Sequence, residues 1–142
     1  RNNTLDGITI NAVMGDVDPL IIGQNGVDPF TGQSFGNIID DNLVNGITIT
    51  GGGFIQINNN SIANNGAIGV DIDVTNVGTH ATLLQNNVIT DNASDGIEFL
   101  SDGTTTSYLI AFGNTISDNL GRGVDILNRQ DSTANKIGRA HV

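Results

Sequence analysis

The sequence has no cysteine and no tryptophan. Disulfide frameworks and cysteine metal sites are therefore excluded. Among 142 residues there is one glutamate, Glu98, and one lysine, Lys136. Helix bundles draw heavily on such straight-chain residues, so their scarcity argues against a helical fold. No apolar run reaches the roughly 18 residues that a membrane-spanning helix needs, and no membrane insertion is expected. Basic residues are few as well, five against fifteen acidic ones, for a formal charge of −10. That balance repels phosphate backbones and anionic lipid surfaces, so nucleic acid is not an expected partner. It suits calcium, a cationic ligand, or solubility alone.

What the chain does have is 20 Asn, 19 Gly and 19 Ile. Their regular placement separates it from a disordered sequence. A Gly followed by apolar–polar–apolar residues recurs as Gly7-Ile8-Thr9-Ile10, Gly46-Ile47-Thr48-Ile49, Gly69-Val70-Asp71-Ile72, Gly96-Ile97-Glu98-Phe99 and Gly123-Val124-Asp125-Ile126. The last four copies are 23, 27 and 27 residues apart. Ahead of each lies a second signature, beginning at Asn37, Asn60, Asn87 and Asn114 and closing on Asn42, Asn65, Asn92 and Asn119. A third apolar stretch separates the copies, as in Phe54-Ile55-Gln56-Ile57.

Each repeat thus holds three short β-type runs separated by Gly, Asn and Asp turns. One such run cannot bury its apolar face alone. Stacking coil on coil places Ile on Ile and closes the main-chain hydrogen bonds along the stack. The spacing predicts an all-β solenoid of about four to five coils of 23–27 residues. Ile47, Val70, Ile97 and Val124 form one expected inward stack, and Ile39, Ile62, Ile89 and Ile116 another. Asn42, Asn65, Asn92 and Asn119 are expected to form a ladder at one corner, since Asn tolerates left-handed backbone and its amide bonds neighbouring main chain.

This repeat resembles those of the right-handed parallel β-helix proteins of the pectate-lyase-like superfamily. The resemblance implies a secreted or cell-surface protein, and a polysaccharide or cell-surface glycan as partner. It covers most of residues 36–135, with an outlying coil at Leu5 to Val13. The chain reads as a piece of a longer protein whose flanking coils would continue the stack. Residues 1–136 are the expected β-helix fragment. The terminal Ile137-Gly138-Arg139-Ala140-His141-Val142 resembles one reading frame of a sequencing adapter, so residues 137–142 are read as a non-native tail. The step from Gly7 to Gly46 is 39 residues. Its excess, near residues 14–34 and holding Pro19 and Pro29, is read as a protruding loop.

In the Gly–apolar–polar–apolar run the polar residue points outward. Thr48, Asp71, Glu98 and Asp125 then form one column, with about 4.8 Å between neighbours. Asp73 and Asp102 flank it. Three readings are open for Asp71, Glu98 and Asp125: a solvated acidic face, a calcium site, or a catalytic acid–base pair. Carboxylates about 5 Å apart suit a retaining glycosidase and a wider pair an inverting one. In the polysaccharide lyases that the repeat resembles, calcium sits on carboxylates of this face and an arginine takes the proton; Arg122 and Arg129 flank the last copy. The Gly-His-Gly and Arg-x-Lys motifs of polygalacturonases are not in the sequence, so no catalytic residue is carried over from them. His80 reads as a turn or surface residue, Gly51-Gly52-Gly53 as a bend, and Phe99, Tyr108 and Phe112 as solenoid packing.

The expected role is a structural or glycan-binding segment of a large secreted or surface protein. The alternative is a polysaccharide lyase or glycoside hydrolase acting on acidic polysaccharide.

Overall fold

A computed structural model describes residues 3–12, 19–23, 36–75, 78–129 and 133–141. Among them every regular element is a strand. The first sheet is parallel and holds, in order, β1 (Ile8–Ala12), β4 (Ile47–Gly51), β7 (Val70–Thr75), β10 (Ile97–Asp102) and β12 (Val124–Asn128). The second runs through β2 (Leu20–Gly23), β5 (Gly53–Asn58), β8 (Thr79–Gln85) and β11 (Thr106–Ser117). It continues through β9 (Val88–Thr90), β6 (Ser61–Ala63) and β3 (Ile38–Asp40), while β13 (Thr133–His141) pairs with β11. Successive repeats therefore lie side by side, which makes the chain a parallel β-solenoid. Three turns, from β4 to the end of β11, are complete. The sequence had led to an expectation of four to five coils, so the fold class holds and the count is lower, at about three complete turns among the described residues.

The alternation of side chains along each strand builds the core. Ile47 pairs in register with Val70, Val70 with Ile97 and Ile97 with Val124. The first three are fully buried, and Val124 packs against them from the last coil. Ile39, Ile62, Ile89 and Ile116 form the second buried stack. Each such side chain contributes about 2–3 kcal/mol by leaving water.

The corners are built by asparagine. Asn65 Oδ1 accepts the side-chain amide of Asn42 at 2.8 Å and its backbone N–H at 3.3 Å. Asn92 receives Asn65 in the same way, and Asn119 receives Asn92. The second amide hydrogens reach main chain, from Asn65 to the Ile39 carbonyl and from Asn92 to that of Ile62. The residue ahead of each ladder Asn turns the corner: Asp41, Asn64, Asp91 and Asp118 have φ of 54–56°. Left-handed backbone thus falls on the ladder's neighbours, and the ladder residues supply the bonds.

A second ladder was not foreseen. Asn37, Asn60, Asn87 and Asn114 bond in series through side-chain amides at 2.9–3.1 Å. It too follows left-handed residues, at Asn59, Asn86 and Gly113.

The recurring Gly is required by close approach. A Cβ on Gly96 would lie 2.6 Å from the Ile116 side chain and 2.7 Å from the Gly123 carbonyl. Gly46 and Gly69 meet equivalent atoms. On Gly123 the nearest atom would be 3.7 Å away.

Within the stretch expected to protrude near 14–34, Leu20 to Gly23 form β2 and pair with Ile55 to Asn58. Residues 13–18 and 24–35, which hold the rest of that stretch, lie outside the described residues. The terminal segment enters β13, whose Ile137 pairs with Ile110.

Candidate functional site

The first sheet's outward column follows from the register. Thr9 pairs with Thr48, Thr48 with Asp71, Asp71 with Glu98 and Glu98 with Asp125. The three carboxylates proposed from the sequence thus occupy successive strands. Asp73 lies opposite Thr50 and Leu100, one outward position along, and Asp102 lies opposite Thr75.

A second series sharpens the geometry. The residue just before each repeat Gly is Asp6, Asn45, Ile68, Asp95 and Arg122 in turn. Where this residue bears an amide or carboxylate, it accepts the main chain of the next coil. Asp6 accepts the Asn45 N–H at 3.0 Å, Asn45 accepts that of Ile68 at 3.0 Å, and Asp95 accepts that of Arg122. The same residue can also reach the column position three residues on. Asp6 accepts the Thr9 hydroxyl, Asn45 donates to Thr48, and Arg122 pairs with Asp125.

Asp95 has no such complement, because the residue three on is Glu98. The result is a knot of like charge. Ligand oxygens of Asp95, Glu98 and Asp125 all lie within 4.8 Å of one another. The sequence reading had Asp71 as the third member and missed Asp95. Its signal was the recurrence of Asp6, Asn45 and Asp95 at one repeat position. Three carboxylates are hard oxygen donors of the kind that calcium or magnesium takes. The Arg122 guanidinium already neutralises one of them, Asp125, so a cation there would compete with it.

Asp71 solves its burial differently. Its carboxylate accepts the Asn45 side-chain amide at 2.9 Å. Burial pushes its pKa up to about 6, and the fields of Glu98, Asp73 and Asp6 push the same way, against the Asn45 bond. Asp71 therefore exchanges its proton near pH 6.

Two expectations about other residues change. His80 is fully buried in β8, with Nε2 2.6 Å from the Thr82 hydroxyl. Burial pulls its pKa down to about 4, opposed by the Gly51 backbone. β8 begins at Thr79, and that start gives His80 the inward parity of Thr82 and Leu84. Phe99 packs inside as expected, yet Tyr108 and Phe112 share the outward parity of β11, between buried Ser107, Leu109 and Ala111. Arg129 contributes its backbone N–H to the Ser101 carbonyl at 2.9 Å.

The chain matches the family model described as the right handed beta helix region, over residues 1–139. Comparisons with curated proteins and with solved structures return no match.

Proposed function

Because the chain belongs to the right-handed β-helix family, we propose that it is a structural or glycan-binding segment of a large secreted or surface protein. The observation that carries this reading is the outward column of the first sheet. It offers one polar side chain per coil, from Thr9 through Thr48, Asp71 and Glu98 to Asp125. An extended polysaccharide lying along the solenoid axis would meet a hydroxyl or carboxylate at every strand, about 4.8 Å apart. Carboxylate and hydroxyl oxygens accept hydrogen bonds from sugar hydroxyls.

Without a cation this column repels uronates, so a neutral glycan is the direct ligand. An acidic one requires calcium bridging through Asp71, Glu98 and Asp125, with Asp95 as the closer third carboxylate. Affinity electrophoresis in gels of neutral or acidic polysaccharide, with and without calcium, tests this. Retardation in neutral gels that weakens in Glu98→Gln is expected. Unchanged mobility in every gel overturns glycan binding and leaves the structural role.

The second reading is a glycoside hydrolase or polysaccharide lyase. It draws support from Asp71, which holds a proton to about pH 6 beside Glu98 on the next strand. Such a pair suits general acid–base work. Against a lyase, the Arg122 guanidinium is bound to Asp125. New reducing ends would carry the hydrolase reading and unsaturated uronates the lyase reading. Their loss in Asp71→Asn would assign the residue.

A further inference from the structure

Asn is followed by Gly at Asn25, Asn45 and Asn65, and the first of these lies outside the described residues. Asn45 stands where the fold makes two separate demands. The position before the repeat Gly must accept the main chain of the next coil, as Asn45 Oδ1 does from the Ile68 N–H at 3.0 Å. The position after it must lack a side chain, since a Cβ on Gly46 would lie 2.6 Å from Ile62 and 2.7 Å from the Gly69 carbonyl. Together the two demands write Asn–Gly. In that dipeptide the backbone nitrogen reaches the neighbouring side-chain amide carbon most easily, because no Cβ obstructs the turn.

We propose that Asn45–Gly46 is a site of succinimide formation that the fold holds closed, and that it opens when the coil bearing Asn45 parts from the coil bearing Ile68. In the reaction the Gly46 nitrogen bonds to Asn45 Cγ, the Cγ–Nδ2 bond breaks, and ammonia leaves with the Gly46 amide proton. Water then opens the ring at either carbonyl, giving aspartate or isoaspartate. The fold occupies each reacting group. The Gly46 N–H donates to the Ile68 carbonyl at 3.0 Å. Asn45 Nδ2 donates to Asp71 at 2.9 Å and to Thr48 at 3.0 Å, while Oδ1 holds the Ile68 N–H. The nucleophile is engaged, and the amide it must attack is pinned toward the next coil, 8% exposed.

Asn65–Gly66 is the internal contrast. The Gly66 N–H bonds the Asn42 carbonyl on the preceding coil at 2.8 Å. The Asn65 amide bonds the Ile39 carbonyl on that coil and Asn92 on the following one. Its release needs contacts on both sides to open, whereas Asn45–Gly46 is released by one. Local openings cost less than global unfolding, so the folded chain reacts first at Asn45. The product weakens the contact that guarded it. A carboxylate at this position cannot donate to Asp71, and it sets like charge against Asp71 where an amide stood. The coil that opened once then closes less firmly.

Peptide mapping by mass spectrometry on the whole chain, held at mildly alkaline pH in native buffer and in denaturing urea, tests the proposal. In urea Asn45 and Asn65 should convert at similar rates. In native buffer both should slow, Asn45 by roughly tenfold or more and Asn65 further. Equal rates at Asn45 in the two buffers overturn the gate, and no conversion at Asn45 in urea overturns the site. Asn65 converting as fast as Asn45 in the folded chain overturns the assignment to one coil contact. The converted chain, separated by anion exchange, is then unfolded in urea beside Asn45→Asp and Asn45→Ser. The acid should lower the midpoint further than Ser does, and a converted chain as stable as the original overturns the weakening. The mapping uses wild type alone, so it reports even where Asn45→Asp fails to fold.

Discussion

The asparagine corners and the carboxylate column follow one rule, a single polar residue per coil stacked in register, and reach opposite outcomes. An amide both donates and accepts, so Asn42, Asn65 and Asn92 each satisfy the next member of the ladder. That mutual bonding lets the ladder sit inside the solenoid, where Asn92 is fully buried. A carboxylate only accepts, so stacked copies repel. Asp71, Glu98 and Asp125 stay on the outer face, and the compensation differs from coil to coil: Asn45 for Asp71 and Arg122 for Asp125. Self-complementary side chains make a core from repetition. Groups that lack a complement mark the surface where coils diverge and ligands can act.

Breaking the ladder should have the largest effect. Asn92→Ala removes the acceptor of Asn65 and the donor to Asn119. Each buried group left unsatisfied costs about 1–3 kcal/mol, so urea denaturation should show a loss of about 3–5 kcal/mol.

The close approach of coils at the glycine column can be tested next. Gly96→Ala should cost about 3 kcal/mol, because its Cβ meets the Gly123 backbone and a buried Ile, whereas Gly123→Ala should stay within about 0.5 kcal/mol. Equal losses at both sites would remove close approach as the reason for the glycine.

His80 sharpens the contrast as a buried polar residue that does not repeat. Its pKa falls from 6.5 to about 4 on folding. The neutral ring's contribution is complete above pH 6.5 and is lost as pH falls toward 4, about 3 kcal/mol over the whole window. His80→Leu should flatten that part of the acid unfolding curve.

Most of the fold was legible because period-two alternation and the Gly–Asn punctuation recur at fixed offsets. The inward stacks through Ile89 and Ile97 and the ladder through Asn92 followed from spacing alone. The second ladder was hidden in plain view: Asn60 and Asn87 begin the second signature, and only the fold shows that each follows a left-handed residue, Asn59 or Asn86, and bonds to its equivalent on the next coil. His80 and Tyr108 were misassigned for one reason. Neither apolar run displays which alternate set faces the core: β8 begins at Thr79, so the inward alternation of Thr82 and Leu84 extends back to His80, and Tyr108–Phe112 is apolar at both parities, of which Leu109 and Ala111 take the inside. The column through Asp71, Glu98 and Asp125 was legible. Asp95 was not, because its effect comes from a reach of three residues to Glu98 and from the next coil's Arg122 N–H.

The contrast between ladder and column turns on the claim that Asp71 is held in its column against its own charge. Urea unfolding of wild type and Asp71→Asn from pH 3.5 to pH 8 tests it. The Asp71 pKa rises from 3.8 to about 6 on folding. Below pH 3.8 both states hold the proton and the charge penalty is absent. As pH rises from 3.8 to about 6 the unfolded chain ionises while the folded chain keeps its proton, so stability falls, and it levels off above 6. Asn at this position keeps an acceptor for Asn45 and carries no charge. The variant should match wild type at pH 3.5 and exceed it by about 1 kcal/mol above pH 6.5, after allowing for the solvent that reaches the half-buried carboxyl. A variant less stable than wild type at pH 8, or a difference that does not change with pH, would contradict the account.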